Sequence, residues 1–127
     1  MKFGGSSLAN AGRFRIVAEI VKTQLDRKPV LVLSAMGDTT DHLLEAGQAA
    51  LKRNHVDIEK IEKLHLGTIA EMGLEEAALE SINPLFEELK SLLSGISLIK
   101  ELTGRTKDYL VSFGERFSVR IAAAYFN

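Results

Sequence analysis

Three short stretches carry residue types that could do chemistry. The first, KFGGSS at 2–7, sets Lys2 beside the adjacent glycines Gly4 and Gly5 and the serines Ser6 and Ser7. Paired glycines lack Cβ atoms, so the backbone can curl and another group can approach its N–H donors closely. The serines could cap a following helix, and the lysine adds a mobile ammonium. Donors, a helix N-terminus and a positive charge together favour an anion such as phosphate. An ordinary strand-to-helix turn would use the same residues.

The second stretch, SAMGDTTD at 34–41, offers hydroxyls at Ser34, Thr39 and Thr40 and carboxylates at Asp38 and Asp41. It can hold a polar substrate at a helix start, or simply cap that helix. In the third, SFGERFS at 112–118, Glu115 and Ser118 are three apart and share a helical face. Gly114 occupies a position where a helix favours alanine, so something must approach closely there, or the glycine merely packs beside a surface carboxylate.

Other candidates carry less. Neither a GxxxxGK[ST] loop nor a GxGxxG fingerprint is present. His42, His55 and His65 have no ligand spacing with one another, so each reads as a core or surface histidine, and no metal site is expected. Lys52 with Arg53, and Arg105 with Lys107, read as solvated helix ends.

The elements that must position these residues follow from periodicity. Phe14, Val17, Ala18, Val21 and Leu25 recur at helical spacing, and Pro29 ends that helix. An unbroken apolar run at 30–33 then predicts a strand covered on both faces, as in parallel sheets, and 1–3 is at most a stub of another. HLLEAGQAALKRN resumes a helix. Both loops thereby fall at strand ends, where open sheets bind ligands. Beyond Asp57 the chain reads as helical, with Ile58, Ile61, Leu64, Ile69 and Met72 as one stripe and Gly73 as a stop. Asn83 and Pro84 predict a new helix start, as an N-cap followed by a first-position proline. Leu85, Leu89, Leu92 and Leu93 would line that helix. A loop at 103–106 precedes a last helix with Leu110, Phe117, Ile121 and Tyr125 inward. With one complete buried strand and about five helices, the sheet lacks neighbours. The chain is therefore either a bundle with one odd strand or part of something larger.

Composition bounds the function class. The 127 residues suffice for one domain, and 16 basic against 17 acidic side chains give a net charge of −1. No global field recruits nucleic acid or an anionic membrane. Absent cysteine excludes disulfides and thiolate metal sites. The longest apolar stretch, PVLVLSAM, is too short for a bilayer, and Gly4 and Gly5 interrupt any signal-peptide core. A soluble, cytoplasmic protein is expected.

Taken in order, KFGGSSLAN, VLVLSAMGDTTDHLL and SFGERFS resemble the signatures of the aspartokinase family, over essentially all 127 residues. The resemblance implies an α/β amino-acid kinase-like fold, with a mainly parallel open sheet flanked by helices. Residues 1–127 would be the helix-rich N-terminal portion of its catalytic domain. It also implies ATP-dependent phosphorylation of the β-carboxylate of L-aspartate, with Mg2+ carried by the nucleotide, at the entry to lysine, threonine and methionine synthesis. By matched position, Lys2 resembles the lysine that neutralises the transferring phosphoryl group. Gly4, Gly5 and Ser6 resemble the phosphate-cradling turn, and Thr40 and Glu115 resemble aspartate-binding residues with Ser34 close by. Family members carry more of a first strand before the lysine, then an adenine site, further catalytic residues and regulatory domains. A truncated domain, inactive alone, within a homo-oligomeric parent polypeptide is therefore expected. The alternatives are an amino-acid kinase acting on another carboxylate, and a non-catalytic helical interaction module.

Overall fold

The computed structural model describes residues 2–4, 10–24 and 32–126. Gly5, Ser6, Ser7, Leu25, Pro29 and the expected strand positions 30–31 lie outside the described residues, as do the side chains of Lys2 and Phe14. Strands β1 (Lys2–Phe3) and β2 (Val32–Leu33) pair in parallel, Lys2 opposite Val32 and Phe3 opposite Leu33. Helix α1 (Ala11–Lys22) lies between them in sequence. Then come α2 (Thr39–Arg53), α3 (Glu59–Glu71), α4 (Glu75–Ile99) and α5 (Gly104–Phe126). The outcome is the expected α/β order, rich in helix.

Local chemistry explains most boundaries. Asn10, rather than the serines of KFGGSS, caps α1, its side chain accepting from the Arg13 N–H at 3.0 Å. On α1, Val17, Ala18 and Val21 are buried as their spacing predicts. The Arg15 guanidinium donates to the Glu71 carbonyl at 2.6 Å, tying α1 to the end of α3. The Asp57 carboxylate accepts from the Glu59 N–H at 2.9 Å and starts α3. Gly73 turns the chain at φ +69°, a conformation suited to glycine. The last helix starts earlier than the expected loop allows, at Gly104. Thr103 is its cap, accepting from the Thr106 N–H at 3.2 Å.

Pro84 does not start a helix. It lies inside α4, which runs unbroken through Asn83 and Pro84. An interior proline costs about 3 kcal/mol in a helix, through the missing N–H and its ring. Ile82, Leu85, Phe86 and Leu89 flank it and are buried, while Asn83 and Pro84 face solvent. Burying such side chains stabilises by about 2 kcal/mol each, which offsets that cost.

Helix α4 packs against α2, α3 and α5, and α2 packs on α5. Leu110, Phe117 and Ile121 of α5 are fully buried, as expected, and Phe113 joins them in the core. Tyr125 is half-buried. The Phe117 ring lies 4.9 Å from His65, 5.0 Å from Phe86 and 6.0 Å from Phe113, joining α3, α4 and α5.

His65 is a core histidine. Its Nδ1 lies 2.7 Å from the Ile61 carbonyl, which can only accept, so Nδ1 carries a proton. Burial pushes its pKa from 6.5 down to about 4; the Ile61 carbonyl opposes this and His42 adds to it. Between those values the unfolded chain binds a proton that the folded chain does not, so stability falls as pH drops from 6.5 toward 4. The loss should total about 3 kcal/mol. Urea midpoints measured across that range should show it in the wild type, and His65→Leu should remove that component while leaving carboxylate titration in place.

Candidate functional site

Parallel pairing means that both strands deliver their chains to the same end of the sheet. Gly4 and Ser34 each follow the last paired residue of their strand, so they leave side by side, about 5 Å apart in backbone spacing. Gly4 is exposed, and a Cβ built on it would meet nothing within 4 Å. Its backbone is open to a ligand. Gly5 and Ser6, the rest of the phosphate turn read from the sequence, lie outside the described residues, and Lys2 is placed by its backbone on β1 alone.

After Ser34, which is half-buried, Ala35 and Met36 are buried and the chain turns into α2. The Thr39 N–H donates to the Met36 carbonyl at 2.9 Å, and the His42 N–H to the Asp38 carbonyl at 3.0 Å. Asp38 sits at the N-cap, but its side chain makes no capping bond. Backbone bonds close this turn, so the carboxylate stays in solvent. The two threonines part company: Thr39 is fully buried, and Thr40 is exposed in the first turn of α2.

Helix α5 reaches this loop through Gly114. A Cβ at Gly114 would stand 2.5 Å from the Ala35 Cβ, 3.4 Å from Thr39 Cγ2 and 3.5 Å from Leu43 Cδ1. Close approach is thus the reason for the interior glycine, and the approaching group is the loop after β2. A similar contact occurs lower down, where a Cβ at Gly47 of α2 would meet Leu110 Cδ2 at 2.6 Å. Residue numbers rise along α2 while their partners fall along α5, so the helices run antiparallel. Glu115, next to Gly114, is exposed. Ser118 is fully buried, so the face it was expected to share with Glu115 is split by the core boundary.

Charge is sorted in a useful way. Arg116 donates to Glu88 of α4 at 2.6 Å and lies 4.6 Å from the Phe113 ring centre. The Tyr109 hydroxyl donates to the same carboxylate at 3.1 Å. Chiefly through the Arg116 hydrogen bond, the Glu88 pKa is held below its ordinary value. Arg116 is therefore committed to bracing α5 on α4. Glu115, Asp38 and Asp41 take part in no ion pair among the described residues. A free carboxylate beside the strand-end loop can receive an ammonium.

A groove among the described residues lies elsewhere. It encloses about 650 Å³ between α2 and the start of α3, and none of the residues read as a site lines it. Its rim carries Lys60 at 3.9 Å from Glu45 and His55 at 3.7 Å from Asp57, exposed pairs that satisfy one another. No group of three or more His, Cys, Asp or Glu side chains among the described residues could hold a metal ion.

Comparison with known proteins agrees over the whole chain. The family model described as amino acid kinase family matches residues 1–127. Aspartokinase 1, chloroplastic, of Arabidopsis thaliana is 48% identical over 133 aligned positions, covering 100% of this chain and 23% of that protein. The aspartokinase of Schizosaccharomyces pombe is 31% identical, covering 97% of this chain and 26% of that protein. The chain thus spans about a quarter of the length of these relatives. The crystal structure of Escherichia coli aspartokinase III in complex with lysine and aspartate superposes with a TM-score of 0.78 at 23% identity. It covers 98% of this chain and 27% of that one, and shows the fold. Among the described residues, no helix is long and apolar enough to cross a membrane.

The contact at Gly114 makes a prediction against helix propensity. Replacing glycine by alanine in a helix stabilises by about 1 kcal/mol where there is room. Nothing lies within 4 Å of a Cβ at Gly67 or Gly95, so Gly67→Ala and Gly95→Ala should each raise the urea midpoint. Gly114→Ala should lower it instead, because overpacking against Ala35 costs about 1–3 kcal/mol and Ala35 has no flexible end to swing aside. Parallel urea titrations of the three variants check the reversal of sign.

Proposed function

The chain belongs to the amino acid kinase family, and on that premise we propose that residues 1–127 form the N-terminal part of an aspartokinase catalytic domain. The reaction is attack by a β-carboxylate oxygen of L-aspartate on the γ-phosphorus of ATP. A new P–O bond gives aspartyl phosphate, and the bridging oxygen leaves with ADP. Such a transfer needs positioning and charge stabilisation more than covalent help.

One observation carries the reading. The parallel register sets Gly4 beside Ser34 while Gly114 seats α5 on Ala35, which supports a shared site for the phosphate turn, the hydroxyl loop and Glu115 at one end of the sheet. In the proposed roles, Lys2 neutralises the transferring phosphoryl, and Gly4, Gly5 and Ser6 give N–H donors to the ATP phosphates. Ser34 and Thr40 hydrogen-bond aspartate, and Glu115 receives its α-ammonium. Mg2+ is proposed to enter as an ion carried by the nucleotide. The remaining catalytic and adenine-binding groups belong to the parent polypeptide, proposed to be a homo-oligomer. Its product would feed lysine, threonine and methionine synthesis. A cysteine-free sequence supports a reducing compartment, and the cytoplasm is the one proposed; the Arabidopsis relatives are named chloroplastic.

Hydroxylamine trapping of aspartyl phosphate should give signal for the parent polypeptide and background for residues 1–127 alone. In the parent, Glu115→Gln should act mainly by raising KM for aspartate. Lys2→Ala should lower kcat by about a hundredfold or more, as for loss of one preorganised donor, and Lys2→Arg should restore little of it. A kcat within about threefold for Lys2→Ala, under 1 kcal/mol of barrier, would remove the lysine from the mechanism.

A further inference from the structure

We infer that Gly114 is a positioning residue, and that its contact with Ala35 sets the distance between the two halves of the aspartate-binding surface. The inference rests on the reading of Ser34, Thr40 and Glu115 given above. Two of these three residues adjoin the contact directly: Ser34 precedes Ala35, and Glu115 follows Gly114. The third, Thr40, follows Thr39, whose Cγ2 lies at the same point of α5. Three neighbouring chain positions thus converge on a single hydrogen atom where any other residue would carry a carbon.

The contact has no slack. At 2.5 Å, a Cβ at Gly114 would sit inside the Ala35 Cβ, and Ala35 has no rotamer through which to move. Helix α5 cannot give way easily either, because Phe113 and Phe117 are fully buried and Arg116 is bound to Glu88 at 2.6 Å. The loop at 34–38 is the part left to move. An added methyl at Gly114 therefore shifts Ser34 and Thr40 away from Glu115, by an amount comparable to the overlap. Aspartate, held from both sides, loses contacts on one of them. Strand β1 pairs with β2 before the loop at 34–38 begins, and the atoms nearest a Cβ at Gly114 among the described residues belong to Ala35, Thr39 and Leu43, so nucleotide binding is expected to be spared. Such an asymmetry distinguishes positioning from general loosening, since a misplaced group costs far more at the reacting centre than elsewhere.

The experiment is a double-mutant cycle in the parent polypeptide with Gly114→Ala, Ala35→Gly and both together. Gly114→Ala should raise KM for aspartate at least tenfold while KM for ATP stays within about twofold. The double variant should recover most of the aspartate KM, because Ala35→Gly removes the atom that clashes. Ala35→Val, which enlarges the same contact from the loop side, should reproduce the aspartate effect with Gly114 intact; it keeps the test open if Gly114→Ala does not fold. Equal rises in both KM values, or no recovery in the double variant, would overturn the inference. A wild-type parent that does not phosphorylate aspartate would instead overturn the functional reading. The cycle is then read as melting temperature, where lack of coupling between positions 35 and 114 would overturn the contact itself.

Discussion

Everything at the strand end depends on where the Phe117 ring sits. It is fully buried and touches His65 of α3, Phe86 of α4 and Phe113 of its own helix, so one aromatic side chain fixes α5 against two others. Tilted and edge-on ring contacts favour particular orientations as well as burial. A ring held from several sides leaves its helix little freedom to roll or slide. Gly114, three residues earlier, is thereby pressed against Ala35 and cannot avoid it. The carboxylate of Glu115 is carried to its place by hydrophobic packing one turn away.

The polar contacts on the outer side of α5 are consistent with that arrangement. Arg116 lies over Phe113 and reaches Glu88, while Tyr109 donates to the same carboxylate. These groups are partly exposed, so their worth in stability is modest. Their effect is directional, because the only arginine in SFGERFS is turned toward α4 and away from its acidic neighbour. Had Arg116 paired with Glu115, that exposed carboxylate would be neutralised by its own helix.

How much of this was legible in the sequence varied with the kind of signal. Apolar periodicity placed the helices and most of the core, because burial of a stripe is a property of the segment itself. Gly114 was legible as a close approach, though not what approached it, since the partner lies 79 residues away in sequence. Pro84 misled because proline has one strong local meaning at a helix start, and packing by Ile82, Leu85 and Phe86 outweighed it. Asp38 and Ser118 show the same limit in polar form. Their types suggested a cap and a shared face, whereas their surroundings left one in solvent and the other in the core. Phe113 escaped notice because it stands next to Gly114 in a stretch read for chemistry rather than for packing.

The distribution of bulky buried residues bears on the order in which the molecule is assembled. Among the described residues, all the largest fully buried side chains but Met36 lie between Leu43 and Ile121, within α2 to α5. Among them α4 and α5 meet as sequence neighbours while α2 meets α4 and α5 across longer separations, and the β1–β2 pairing closes a loop of about 30 residues for two residue pairs. Local helical contacts form early, and pairings across long loops come late. The α4–α5 pair, local in sequence, is therefore expected to form before the strand ends, which dock onto a surface that already exists. On this order α5 acts as a mould: the loop bearing Ser34 and Thr40 takes its shape from a helix folded before it.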